Sequence, residues 1–279
     1  MIKLFALDMD GTLLDSKSRL REDTKACLKD LQASGVRVLL CSGRVFSSVY
    51  HYARQIDDKP CLIANNGAVM GLSYEKLFEE NVISYDILEK LFEISLKNEL
   101  DFHFYDLDTY YSNKFDKDRV KHLLIDPDDE NSYTVKFSIS DDPIKELKER
   151  NSKAYKFQIN NLDKNPLGKE KVKKIIDDEF SDSLSFTSSF DRVLEIMDKG
   201  VTKAKTLEGL LDKMGLDRNN LAAIGDGLND LEMLKASRLS FAMGNGKDEL
   251  KKIADHIVSD NDSGAIEEAC KIIKEYNRV

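Results

Sequence analysis

Apolar residues cluster in short continuous runs at 2–7 (IKLFAL), 36–41 (VRVLLC), 61–64 (CLIA) and 221–224 (LAAI). Segments with helical spacing follow or separate them, at 22–33 (EDTKACLKDLQA) and 203–214 (KAKTLEGLLDKM). The runs are too short for buried helices, and their alternation with amphipathic segments predicts a parallel sheet covered by helices on both faces. From about 82 to 195 the pattern changes. DFHFYDLDTYYS, SYTVKFSIS, KAYKFQIN and SFTSSFDRVLEIM are longer, alternate polar with apolar positions and are rich in Tyr, Phe and Thr. That alternation predicts half-exposed strands of a more antiparallel sheet, with helices at about 86–98, 142–150 and 166–179. The expected architecture is α/β: a doubly wound parallel core from 1–81 and 196–279, with an α+β unit at 82–195 inserted into it. No internal repeat, heptad seam or low-complexity segment interrupts this reading, and the charge-dense DDPIKELKER is read as a solvated helix face.

A chain of 279 residues is longer than a usual single domain, which agrees with a core plus an insertion. With 33% charged and 41% hydrophobic residues and a formal net charge of -9, the composition is globular and argues against a nucleic-acid or anionic-membrane surface. Cys27, Cys41, Cys61 and Cys270 are widely spaced, without CxxC or a nearby His at zinc-ligand spacing, and read as reduced thiols. The first apolar run begins at Ile2, and no apolar stretch approaches the roughly 20 residues that span a bilayer. A cytoplasmic protein is expected.

Chemistry concentrates where the core runs end. Asp8 follows FALD's apolar residues, and Ser42, Gly43 and Arg44 follow VLLC. Asn66 and Gly67 follow CLIAN, and Asp226, Asn229 and Asp230 follow AAIG. In an open Rossmann-like sheet, ligands bind beyond the carboxyl ends of the strands, so these distant stretches are expected to converge. Asp8 and Asp10, one residue apart, repel one another unless a cation or donors compensate. Mg²⁺ suits that role, because it prefers oxygen ligands and binds substrate phosphate as well. Asp226 would complete the acidic cluster from the far end of the chain. Gly11 permits close approach of the backbone, and the Thr12 hydroxyl offers a hydrogen bond to anionic oxygens.

DMDGTLL at 8–14 resembles the DxDGT signature of the haloacid dehalogenase superfamily of aspartate-nucleophile phosphohydrolases. The resemblance implies that Asp8 is the nucleophile and that Asp10 protonates the leaving oxygen and then activates water. Ser42, in VLLCSGR, stands at the second motif as a phosphoryl-oxygen donor, with Gly43 and Arg44 beside it. Helix capping is the blander role for Ser42. Lys203, in DKGVTKAKTLEGLL, stands at the third motif, with Thr202 as helix N-cap and Lys199 and Lys205 as competing lysines. Alanine follows Lys203 where the family commonly has glycine. GDGLND matches the fourth motif, which implies Asp226 as a metal ligand together with Asp8 and the Asp10 main chain. Asn229 and Asp230 would arrange the surroundings. NNGA at 65–68 and AMGNG at 242–246, with Asn245, resemble elements of the Cof-type phosphatases, whose C2 (IIB) cap would correspond to 82–195. Asn66 and Gly67 also suit a hairpin turn.

The implied activity is Mg²⁺-dependent hydrolysis of small phosphorylated metabolites, such as sugar phosphates or phosphorylated cofactors, through an aspartyl-phosphate. The same aspartyl-phosphate serves a phosphomutase, and a phospho-aspartate signalling receiver shares the acidic residues and lysine but not Asp10. His51, His103, His122 and His256 match no catalytic element and are assigned packing or surface roles, with His103 and His122 as weak candidates for cap contacts.

Overall fold

The computed structural model describes residues 1–120, 123–124, 133–180, 183–188 and 192–278, without the side chains of 118 and 119. His122 lies outside the described residues. Strands β1 to β5 are Leu4–Leu7, Arg37–Cys41, Cys61–Ala64, Val69–Ser73 and Lys76–Glu80. Strands β6 to β11 are Asp101–Tyr105, Thr109–Ser112, Lys136–Ile139, Lys156–Asn160, Leu184–Thr187 and Leu194–Asp198. Strands β12 to β14 are Leu221–Gly225, Leu239–Ala242 and His256–Ile257.

One sheet has eight strands in the order β14-β13-β12-β1-β2-β3-β4-β5. From β14 to β3 every pairing is parallel, and β4 and β5 add an antiparallel hairpin. Counting only the parallel strands in chain order gives 3-2-1-4-5-6, the doubly wound arrangement, whose order reverses between β1 and β12. The apolar runs explain the layers. Alternate side chains of one strand enter opposite faces. Phe5 and Leu7 pack with Leu28, Val49 and Ile273 of helices Glu22–Ala33, Phe46–Ile56 and Ala265–Arg278. Leu4 and Ala6 pack with Leu207, Leu211 and Leu234 of helices Lys203–Met214 and Leu231–Ala236. The β4–β5 hairpin lies in a stretch the apolar pattern leaves unassigned, because β5 is an edge strand with alternating exposure and no continuous apolar run.

The second sheet has six strands in the order β10-β11-β9-β6-β7-β8, antiparallel except for β7 with β8. Its last strand to return, β11, runs through the expected junction at 195. One face buries Phe102, Phe104, Phe157, Ile159 and Ile196 under helices Tyr85–Lys97, Pro143–Glu149 and Gly168–Phe180. The other face presents polar side chains toward the end of the first sheet. Among the described residues, no helix is long and apolar enough to cross a membrane.

Candidate active site

Parallel register brings the strand ends to one level. Leu7 lies opposite Ile224 and Leu40, and Asp8 continues the ladder by donating its N–H to the Ile224 carbonyl at 3.1 Å. Asp8 is buried there with Lys203, whose Nζ donates to Asp8 Oδ1 at 2.5 Å and to Asp230 Oδ1 at 2.7 Å. Lys203 is 1% exposed although it is the first residue of its helix, where a cation opposes the helix dipole. The two carboxylates supply the compensation. Burial alone would discharge the ammonium, but Asp230 and Asp8 outweigh it and hold its pKa well above the usual lysine value. Thr202 caps the helix by accepting from the Lys205 N–H at 3.1 Å, while Lys199 and Lys205 are exposed.

Asp226, one residue past β12, joins this pair. Oxygens of Asp8, Asp226 and Asp230 lie within 4.8 Å of one another, three carboxylates around one ammonium. Burial, reinforced by Asp230 and Asp226 and opposed by Lys203, pushes Asp8 well above the usual carboxylate range. Burial and then Asp230 raise Asp226 to about 6. Asp230 is spent on the protein itself: Oδ1 takes Lys203, and Oδ2 accepts the N–H groups of Asp226 and Gly227 at 3.3 and 3.1 Å. Asp8 and Asp226 are the acids left to face a cation. Gly11 has φ +75°, and a Cβ there would lie 2.6 Å from Asp226 Oδ2, so the close approach expected of Gly11 is to a carboxylate of this chain. The Thr12 hydroxyl likewise donates to Asp226 Oδ1 at 3.2 Å. Asn245 secures the loop from the far side, its Nδ2 donating to the Gly11 carbonyl at 2.8 Å.

Asp10, by contrast, is half exposed, with a side chain at 52%. Arg44 grips it in a two-pronged pair, Nε to Oδ2 at 2.8 Å and Nη2 to Oδ1 at 2.5 Å. Burial works against the guanidinium charge, but Asp10 more than offsets it and raises the Arg44 pKa. Ser42 is buried, and its hydroxyl accepts the Arg44 N–H at 3.2 Å. It does not cap a helix: the helix begins at Phe46 behind Val45, three residues farther on. Asn65–Gly67 forms the turn between β3 and β4, with Asn65 and Asn66 at φ 48° and 56°. The Asn66 N–H donates to the Ser42 carbonyl at 3.0 Å, and its Oδ1 accepts Asn229 Nδ2 at 3.4 Å. Gly43 packs so tightly on this turn that a Cβ would lie 2.7 Å from Asn66 Oδ1. Asp8, Asp10, Ser42, Gly43, Arg44, Asp226 and Asn229 all line one cavity of roughly 630 Å³, roofed by the polar face of the second sheet.

Residues 5–269 match the sequence model of the family described as haloacid dehalogenase-like hydrolase. The chain belongs to that family. It is 27% identical over 270 residues to the 5-amino-6-(5-phospho-D-ribitylamino)uracil phosphatase YcsE of Bacillus subtilis, covering 97% of this chain and 95% of that protein. A haloacid dehalogenase-like hydrolase from Bacteroides thetaiotaomicron superposes with a TM-score of 0.81 at 26% identity, over 98% of this chain and all of the other. A sugar phosphatase of subclass IIB superposes with a TM-score of 0.76 at 19% identity, over 98% and 99% of the two chains, and shares the fold. Family membership and relatives named as phosphatases make this chain a phosphatase.

Most of the roof of this cavity lies outside the residues that the sequence pointed to. The second sheet contributes Lys156, Gln158 and Asn160 from β9, His103 and Tyr105 from β6 and Glu195 from β11 to the cavity. Sequence reasoning named only His103 among them. The available signal was the alternation in KFQIN, where Phe157 and Ile159 enter the core and the polar residues between them face the opposite way. Hydrogen bonds tie the row together: Gln158 Nε2 to Asn160 Oδ1 at 2.8 Å, and Asn160 Nδ2 with His103 Nδ1 at 3.0 Å. His51 and His256 make aromatic contacts outside the cavity, with Tyr133 and Phe241.

Proposed function

We propose that this chain is a Mg²⁺-dependent cytoplasmic phosphomonoesterase that hydrolyses small phosphorylated metabolites through an aspartyl-phosphate on Asp8. The observation that carries the reading is the division of labour between two aspartates in one cavity. Asp8 is buried and aimed by Lys203, whereas Asp10 is half exposed and held by Arg44. Lys203 occupies Asp8 Oδ1, which leaves Oδ2 to attack phosphorus as the P–O bond to the leaving group breaks. Asp10 gives the leaving oxygen its proton and then takes one from the water that hydrolyses the acyl phosphate, regenerating Asp8. Ser42 and the N–H groups of the following loop, with Lys203, stabilise the charge on the equatorial oxygens. Arg44 and Asn229 orient the substrate at the cavity wall, and Thr12 acts by fixing Asp226.

The acidic cluster fits a hard divalent ion. Asp8 and Asp226 are held above the ordinary carboxylate range by burial and by Asp230, a cost that a cation reverses. Asp8, Asp226 and the Asp10 main-chain carbonyl would hold Mg²⁺, with Asp230 behind them. Bound there, the ion would keep Asp8 ionised and would offset the charge of a substrate phosphate.

The residues 82–195 act as the cap, whose polar face selects the leaving group. The relatives named for a ribitylamino-uracil phosphate and for sugar phosphates support polyhydroxylated or cofactor-like substrates. The test is phosphate release from a panel of phosphorylated metabolites, with Mg²⁺ or EDTA, for wild type, Asp8→Asn and Asp10→Asn. Release that requires Mg²⁺ and falls at least about 10³-fold in both variants is expected. Undiminished release from Asp8→Asn would rule out the nucleophile, and an isomerised sugar phosphate without free phosphate would mark a mutase.

A further inference from the structure

The loop that follows β2 is held from two sides. On the core side, the Ser42 N–H donates to the Ile63 carbonyl at 2.9 Å, and the Asn66 N–H donates to the Ser42 carbonyl. On the other side, the inserted unit takes hold of residues 43 to 47 at three points. The Lys156 ammonium, on β9, donates to the Gly43 carbonyl at 2.5 Å. Val45 is buried among Tyr105, Tyr110, Val120, Leu123 and Val135. The Ser47 N–H donates to the Leu107 carbonyl at 2.8 Å. Between these grips lie Ser42 and Arg44, the hydroxyl and guanidinium assigned to phosphate and to Asp10.

Lys156 is the polar member of that set. It is buried in an ion pair with Glu195 at 3.0 Å, both side chains 4% exposed, and its ammonium lies 5.4 Å from the Tyr105 ring centroid. A buried ion pair gains little stability over apolar side chains of similar size. Stability alone therefore does not account for a charge at the one place where β9 meets the Gly43 carbonyl.

We propose that Lys156 is a positioning residue for phosphoryl transfer: its ammonium sets the Gly43 carbonyl, and through that peptide the Ser42 hydroxyl and Arg44, when the inserted unit is seated on the core. The inference rests on the phosphatase reading above. It implies that the roof of the cavity assembles part of the phosphate site as well as meeting the leaving group. A displacement of about 1 Å in such a group costs up to about 10²-fold in rate.

The experiment measures steady-state kinetics of the Mg²⁺-loaded enzyme on acetyl phosphate, a compact substrate, and on p-nitrophenyl phosphate. The variants are the Lys156→Met/Glu195→Leu pair, Lys156→Arg and, as control, Asp8→Asn. The paired variant is expected to lose about 10- to 100-fold in kcat on both substrates, with KM changed less than about threefold. Lys156→Arg should recover part of that loss, since it retains a donor. A defect confined to the KM of the larger substrate overturns the proposal and makes Lys156 a leaving-group contact. Wild-type kcat in the paired variant also overturns it. If circular dichroism shows that the pair does not fold, Lys156→Arg decides: a kcat lowered on both substrates with KM little changed supports positioning, and a change confined to the KM of the larger substrate overturns it. Full activity in Asp8→Asn would instead defeat the phosphatase reading, whatever Lys156 does.

Discussion

Asp226 has a pKa of about 6, above the ordinary Asp value of 3.8, because burial and Asp230 disfavour its charge. The folded chain therefore keeps a proton on it between those two values, where the unfolded chain has lost its own. Stability falls as pH rises through that window, and the penalty is complete above about 6. In EDTA, Asp226→Asn is expected to raise Tm at pH 7 by about 2–5 °C and to have little effect near pH 4, read by thermal denaturation. Mg²⁺ should stabilise wild type more at pH 7 than at pH 5, because protons compete for the same oxygens, and Asp226→Asn should lose most of that response. Gly11 shows the steric side of the same centre. Gly11→Ala combines a left-handed φ with a Cβ against Asp226 Oδ2 and is expected to cost about 1–3 kcal/mol while lowering turnover. Normal Mg²⁺ affinity and turnover in that variant would contradict the packing described.

At the level of elements, the candidate site depends on how strands and helices end. Helix Lys203–Met214 starts with a lysine that its own dipole disfavours, and the Thr202 cap fixes where that start falls. Thr202→Ala is expected to destabilise the fold by about 1 kcal/mol and to lower kcat, whereas Thr202→Ser should be close to neutral in both denaturation and kinetics. Equal kinetics for the two variants would mean that the cap does not aim Lys203. Helices Glu22–Ala33 and Lys203–Met214 and strand β3 were legible in the sequence to the residue, because continuous apolar runs and clear amphipathic spacing leave little alternative. Hairpin strand β5 and the two-residue β14 were not, since edge and short strands bury too little to leave a pattern.

Across the whole molecule, two sheets meet over one cavity, and their duties are expected to separate. Gln158 and Asn160 line the roof of the cavity, joined by a hydrogen bond. Gln158→Ala and Asn160→Ala should change the ratio of kcat/KM between substrates by about tenfold or more while leaving Mg²⁺ dependence as in wild type. Profiles that fall uniformly across a substrate panel would place these residues in support of the chemistry instead. The aromatic stack behind the roof, with Phe102 and Phe157 at 5.3 Å between ring centroids, is structural.

The sequence by itself determined the α/β class and pointed to Asp8, Asp10, Ser42, Lys203, Asp226 and Asp230 as residues at the ends of apolar runs, which the fold brings together. Apolar periodicity is a local property, and each motif sits at the end of a run that local pattern defines. The motif resemblance already set Lys203 against Asp8 and Asp230, and tertiary structure fixed that geometry; it alone decided the other pairings, Arg44 with Asp10, Thr12 with Asp226, and Lys156 with the Gly43 carbonyl. These join residues 34 to 214 positions apart, or 27 within the last third of the chain. Whether a lysine there is a solvated cation or a buried clamp depends on which strands lie side by side, and hydrophobic spacing carries no record of that.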